Sequence, residues 1–174
     1  MKSSILILIL ISILQADKLT LDSGFVAAHT EVYPSEYINP LSPIVHADVT
    51  YEGAPESLKG DFFVELSVFV SEHEYRDESM HKVLNISKFP NASFHILSLE
   101  KSEDSSYELK GLMGLRGVKR KVVFEVYIDE TDKTFKLSGR GMIMMSDFEI
   151  EPPSFLFLEI RDQVDLYIQA SFLK

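Results

Sequence analysis

The chain has 174 residues, 45% of them hydrophobic, which supplies one domain with a substantial core and leaves too little length for two. Its formal charge of −10, from 27 acidic and 17 basic residues, repels phosphate backbones and offers no polybasic patch, so neither nucleic acid nor an anionic lipid surface is an expected partner. With no cysteine, disulfides, thiolate chemistry and Cys-ligated zinc are excluded, and the redox compartment is left open.

The first segment, MKSSILILILISILQA, places one lysine ahead of an apolar run from Ile5 to Leu14, then a small residue, Ala16. That order is the charged start and apolar stretch of a secretory signal peptide. A buried strand of Ile and Leu is the competing reading, because β-branched runs also make strands. Leu14 is a poor residue three places before a cut at Ala16. The run falls short of the roughly 20 residues that cross a bilayer, so no stable membrane span is expected. No cysteine follows it to carry a lipoprotein anchor. The expectation is a leader over residues 1–16, a domain over 17–174, and export to a periplasm or to the outside.

Beyond the leader the dominant signal is alternation of apolar and polar residues, which marks strands with one buried face. Residues 24–33 form the first such run, with Val26 and Ala28 on one face. Val45, Ala47 and Val49 then oppose His46, Asp48 and Thr50, and Phe62, Val64, Leu66, Val68 and Val70 oppose Glu65, Ser67 and Ser71. Residues 93–100 carry Phe94 and Ile96. Tyr107, Leu109, Gly111, Met113 and Leu115 share a face, as do Val122, Phe124, Val126 and Ile128. Phe135, Leu137, Gly139, Gly141 and Ile143 follow, and Val164, Leu166, Ile168, Ala170 and Phe172 close the series. Polar or Gly/Pro clusters at residues 52–55, 103–105 and 129–132 supply turns between them. About eight strands, each with one apolar face, predict an all-β fold: an antiparallel sheet closed into a barrel, which also removes aggregation-prone edges.

One segment breaks the pattern. In YRDESMHKVLNISKFPNASF, Met80, Val83 and Leu84 stand at helical spacing behind Asp77, a candidate N-cap, and Asn85 and Pro90 supply a stop. So short a helix must dock on the sheet. It either packs on the barrel wall or covers one barrel end, and the spacing does not choose between them. Adjacent Arg76 and Asp77 are read as an ion pair holding the helix start, in preference to a head-group site.

The same segment resembles the Arg-Asp…Pro…Phe block of the YceI-like proteins, a lipocalin-like, lipid-binding family. Arg76, Asp77, Met80, Phe89, Pro90, Ala92 and Phe94 fall on that pattern. YELKGLMGLRGVKRKVVFEV is similar to the family's next stretch at Gly111, Leu115, Gly117, Val118 and Arg120. SDFEI, DQVDLYIQASF and LDSGFVAAH resemble its Asp-Phe-Gly-Ile element, closing strand and opening strand. Three positions depart: Lys119 and Gly114 stand where the family has threonine, and Glu149 where it has glycine. The resemblance implies an eight-stranded antiparallel barrel with one inserted helix. It also implies export, frequent homodimers, and a long isoprenoid chain, from a polyprenyl lipid or a quinone, held in the lumen.

Physically, an eight-stranded barrel is just wide enough for packed side chains or one small ligand. The expected lumen wall is Val26, Ala28, Val45, Ala47, Val49, Phe62, Val64, Leu66, Val68, Phe94, Ile96, Leu109, Gly111, Met113, Val122, Phe124, Val126, Leu137, Gly139, Gly141, Ile143, Val164, Leu166, Ile168 and Ala170. The expected lid is Arg76, Asp77, Met80, Val83 and Leu84. Small residues in the wall leave room, and Met142, Met144 and Met145 are soft enough to fit an irregular chain. Most of these positions would point inward with or without a ligand.

Nothing in the sequence points to catalysis, a metal or a cofactor. The five histidines lack zinc spacing, and Ser79 near His81 lacks a nucleophile-elbow context. His46 with Asp48 reads as a surface pair, and Glu100, Glu103 and Asp104 as a solvated cluster. Asn85-Ile86-Ser87 and Asn91-Ala92-Ser93 are glycosylation sequons in form, relevant only in a eukaryotic secretory host. The expected function is non-enzymatic carriage or storage of an isoprenoid lipid. The alternative is an exported interaction protein whose barrel is filled by its own side chains.

Overall fold

The structure is a computed structural model describing residues 17–34, 36–155 and 158–174; the leader expected over residues 1–16 lies outside the described residues. In chain order the elements are β1 (Asp17–Lys18), β2 (Thr20–Tyr33), β3 (Glu36–Ile38), β4 (Leu41–Ser42), β5 (His46–Tyr51) and β6 (Lys59–Glu65). There follow α1 (Glu74–Leu84), β7 (Asn91–Lys101), β8 (Tyr107–Leu115), β9 (Val118–Glu130), β10 (Thr134–Met144), β11 (Ser154–Phe155), β12 (Leu158–Ile160) and β13 (Gln163–Leu173). The eight alternating runs of the sequence correspond to β2, β5, β6, β7, β8, β9, β10 and β13. Among the described residues no helix is long and apolar enough to cross a membrane.

The strands form one antiparallel sheet in the order β1-β5-β6-β7-β8-β9-β10-β13-β2-β12-β11. Meander connections join neighbours from β5 to β10, and β13 returns to pair with β2, aligning Ile168 with Val26 and Leu166 with Ala28. The sheet curls so that β1, at the start of the chain, pairs with β5. Antiparallel register keeps apolar partners facing each other on the inner wall: Ala47 with Phe62, Phe62 with Phe94, Phe94 with Met113. Each such cross-strand pair contributes a few tenths to about 1 kcal/mol. A bulge in β7 between Ile96 and Ser98 turns Leu97 outward and brings Leu99 to 2% exposure, so inward parity changes partway along that strand.

The two barrel ends differ. At the end formed by Tyr51, the start of β10 and the end of β13, the interior is packed solid. Phe135, Phe172, Val49, Leu58, Leu99 and Val126 are all at 2% exposure or less, and the Phe135 ring packs at a tilt against Tyr51 and Phe172, with centroids 5.3 and 6.3 Å apart. The Tyr51 hydroxyl donates to Glu130, which also takes a bond from the Lys174 ammonium, itself 5.2 Å over the Tyr51 ring. Burial first, then donation to Glu130, pushes the Tyr51 hydroxyl well above its ordinary value. Burial pushes the Glu130 carboxyl up, but the bonds from Lys174 and Tyr51 outweigh it and hold the group below its ordinary range.

The other end carries α1. It starts at Glu74, one turn before the start expected from Asp77 as N-cap; His73 holds the cap position in extended conformation without a side-chain cap. Asp77 instead sits inside the first turn, where a carboxylate favours the helix dipole, and accepts the Ser71 N–H at 2.8 and 2.9 Å. The expected Arg76–Asp77 pair is therefore not formed. Arg76 reaches the other way, to the Glu36 carboxylate and to the Tyr37 carbonyl at 3.3 Å. Adjacent helical residues point about 100° apart, which is why neighbours in sequence tie α1 to different supports. His81 Nε2 adds a third tie by donating to the Phe69 carbonyl at 3.0 Å. Asn85, in the left-handed conformation at φ 52, ends the helix as the sequence indicates.

The Glu130 ion pair makes a pH-dependent contribution. Its folded carboxyl titrates below the ordinary 4.5, so the contribution is present above that pH and lost as pH falls through the depressed value. Lys174→Met is expected to cost about 1 kcal/mol at neutral pH. Urea titrations of both proteins across the acid range are expected to show that difference shrinking below pH 4.

Candidate ligand-binding site

Between the packed end and α1 lies a cavity of about 500 Å³. Its wall is built by the inward parity of seven strands: Val26 and Ala28 of β2, Phe62 and Val64 of β6, Phe94 of β7, Leu109 and Met113 of β8, Phe124 of β9, Leu137 and Ile143 of β10, and Val164, Leu166, Ile168 and Ala170 of β13. Val45 and Leu66 border it from the ends of β5 and β6. Arg76, Met80, Val83 and Leu84 of α1 line it, with Tyr75 and Ser79, whereas Asp77 points away to Ser71.

Several expected wall positions lie elsewhere. Val49, Val126, Ile96 and Val122 point inward but belong to the packed core, and Ala47 packs against it. Val68 leaves the wall because β6 stops at Glu65 and the chain turns through a short 3-10 helix from Leu66 to Val68, leaving Val70 exposed. Gly111, Gly139 and Gly141 do not leave open room. A Cβ on Gly111 would meet the Phe94 ring at 2.1 Å, and one on Gly141 the Phe124 ring at 2.7 Å. At Gly139 it would meet the Glu125 carbonyl at 2.3 Å. Gly111 and Gly141 let the Phe94 and Phe124 rings lie flat on the barrel wall, so the rings, not the glycines, face the cavity, and Gly139 makes room for the backbone of β9. Of the methionines, Met145 lines the cavity while Met142 is outward and exposed.

Sequence periodicity missed the residues that close the α1 end. Ile38, Pro40, Phe69, Ile150, Pro153 and Ile160 come from turns and short strands that follow no regular period. Ala92 and Leu115 were legible, since each continues the inward parity of a long strand.

The wall is almost entirely apolar, and three of its polar side chains are already engaged. The buried Thr30 hydroxyl lies within bonding distance of the Arg161 and Gln163 carbonyls, at 3.1 and 2.9 Å. Arg76 is paired with Glu36, and Ser79 Oγ donates to the Tyr75 carbonyl at 2.9 Å. A polar ligand would lose its water and find few partners here, whereas each CH₂ moved from water into the cavity gains about 0.8 kcal/mol. The other candidate clusters are dispersed. His46 lies 3.8 Å from Glu65, Asp48 pairs with Lys18 at 2.9 Å, and Glu100 with Lys110 at 2.8 Å. Ser79 and His81 bond to separate carbonyls, so they form no nucleophile–base pair.

The model of the YceI-like domain matches residues 20–172. The chain belongs to the YceI-like family. No curated protein matches it. Among solved structures, Burkholderia cenocepacia BcnA is similar at a TM-score of 0.74 and 14% identity, over 85% of this chain and 95% of that one. A polyisoprenoid-binding domain from Saccharophagus degradans aligns at 0.64 and 10% identity, over 89% and 97%. The Campylobacter jejuni YCEI protein aligns at 0.64 and 16%, over 99% and 91%. At these identities the three likenesses show a shared fold.

Set in the YceI-like fold, the three departures from the family pattern lie outside the cavity wall. Gly114 and Lys119 are cross-strand partners in the β8–β9 hairpin, so both threonine replacements fall on one pair. A side chain at 114 would meet Ser93 Oγ at 2.6 Å. Glu149 holds the left-handed conformation at φ 59 where the family has glycine, and its carbonyl accepts the Arg116 guanidinium.

Two outcomes follow from this geometry. Gly111→Ala drives a methyl into the Phe94 ring and is expected to destabilise the fold by about 1–3 kcal/mol in urea denaturation. Glu149→Gly relieves left-handed strain at a partial entropic cost, and is expected to hold or raise stability by up to about 1 kcal/mol in the same assay.

Proposed function

We propose that this YceI-like protein binds a hydrophobic lipid in its lumen and carries or stores it without catalysis. The observation that carries the reading is the cavity of about 500 Å³ with an almost entirely apolar wall. That volume falls within the roughly 300–1,000 Å³ of known ligand pockets. A barrel filled by its own side chains, the alternative, describes only the Tyr51 end.

The finer proposal is an isoprenoid chain, of a polyprenyl lipid or a quinone. It is supported by membership of the family and by likeness to a structure described as a polyisoprenoid-binding domain. The aromatic faces of Phe62, Phe94 and Phe124, with Met113 and Met145, suit an irregular methyl-branched chain. Export is part of the proposal, supported by the apolar leader-like run from Ile5 to Leu14. So is pairing of two copies, which the family resemblance implies.

The test is native mass spectrometry of the chain from Asp17, exported in a quinone-containing bacterium and purified without detergent, followed by organic extraction. An adduct that extracts as a polyprenyl lipid or quinone is expected, and the same spectrum reports whether two copies associate. Ala28→Trp, which fills the cavity from β2, is expected to keep its circular dichroism and lose the adduct. A bare wild-type mass that takes up no added quinone would reject lipid binding.

A further inference from the structure

In a closed barrel wall, consecutive residues point to opposite sides, so only one of each adjacent pair can line the lumen. At one place this rule is broken. Phe25 and Val26, Phe62 and Phe63, and Ile168 and Gln169 all border the same cavity. Phe63 stands on the outer face of β6 at 39% exposure, stacked on the His46 ring at 4.5 Å. A cavity bordered by residues of both faces of β2, β6, β7 and β13 reaches the outer surface beside these strands.

The backbone shows why it passes there. β2 is laddered to β13 on one side, and β5 to β6 and β1, but among the described residues no ladder joins β2 to β5. The two are held together only at the ends of this seam. At one end Leu19 N–H donates to the Val49 carbonyl at 3.2 Å. At the other, β4 straps across, pairing Val26 with Ser42 and bridging Leu41 to Val70. Between these points the two strands approach without a ladder: a Cβ built on Gly24 would lie 3.5 Å from Val45 Cβ.

Given the lipid-binding reading, on which this rests, we infer that the lipid chain enters and leaves the lumen sideways through the β2–β5 seam, between Val45, Phe25 and Phe63. The route past α1 is the more obstructed one. Lifting α1 breaks the Asp77–Ser71, Arg76–Glu36 and His81–Phe69 ties and drags charged groups past an apolar chain. Opening the seam breaks no backbone hydrogen bond and needs only rotation of apolar side chains. The route is also largely apolar, with Phe25, Phe63 and Val45 continuing the lumen wall outward beside Gln169 and Ser93.

Stopped-flow binding of retinol, an isoprenoid whose fluorescence rises on burial, tests this with three variants. A port sets both rates without setting affinity. Val45→Trp is expected to slow association and dissociation together, each by about tenfold. Phe63→Ala is expected to speed both. Glu36→Gln, which loosens α1 through Arg76, is expected to leave both unchanged. Faster exchange in Glu36→Gln, or a Val45→Trp effect confined to Kd, would overturn the seam in favour of the α1 end. Should Val45→Trp fail to fold, Phe63→Ala decides alone: faster exchange supports the seam and unchanged rates overturn it. Wild-type protein that binds no retinol at any concentration would remove the lipid-binding reading itself, and the seam with it.

Discussion

The ladder between β13 and β2 is the constraint on which the rest of the molecule depends. It joins the last long strand to the first, and so turns an open meander into a wall with an inside. Once that register is set, with Ile168 against Val26 and Leu166 against Ala28, the period-two alternation of every other strand sends its apolar side chains into one enclosed volume. Backbone groups along β13 and the neighbouring edge of β2 are paired in the process, and among the described residues no ladder joins the far side of β2 to β5.

Inside that wall, side-chain size divides the barrel. Toward Tyr51 the ring of Phe135 packs between Phe172, its neighbour on the adjacent strand, and Tyr51, filling the interior, and Tyr51, Glu130 and Lys174 pair their polar groups at that end. Toward α1 the rings of Phe94 and Phe124 are drawn back onto glycines in the neighbouring strands, so large residues make wall instead of filling. The cavity is therefore a product of where aromatic rings can lie flat, and not of a shortage of side-chain volume. Its apolar character follows from the same parity that built the core, which is why core and candidate site share one chemical alphabet.

The inserted segment from Tyr75 to Phe94 answers a separate requirement. A barrel filled at one end and hollow at the other exposes apolar surface at the hollow end unless something covers it. α1 does so, held by three polar ties to residues outside itself and by Met80, Val83 and Leu84 against the cavity. Its polar anchoring contrasts with the seam beside β5, where the strands approach without a ladder.

The sequence by itself determined the eight strands that build the wall, the inward parity of most of them, the helix and its stop at Asn85, because these depend on local periodicity and on residues with strong backbone preferences; the bulge in β7 and the early end of β6 were not legible. It also determined most of the cavity wall, since Val26, Phe62, Leu109 and Leu166 point inward for the same reason they form strands. Only the tertiary structure decided which inward residues face open volume and which face each other: Val49 and Val64 have the same parity and chemistry, and differ only in which barrel end they reach. It alone showed that Gly111 and Gly141 hold neighbouring rings, that Arg76 and Asp77 grip different partners, and that β2 and β5 lack a ladder. Each of these is a contact between residues distant along the chain, and periodicity within one strand carries no information about what lies across the barrel.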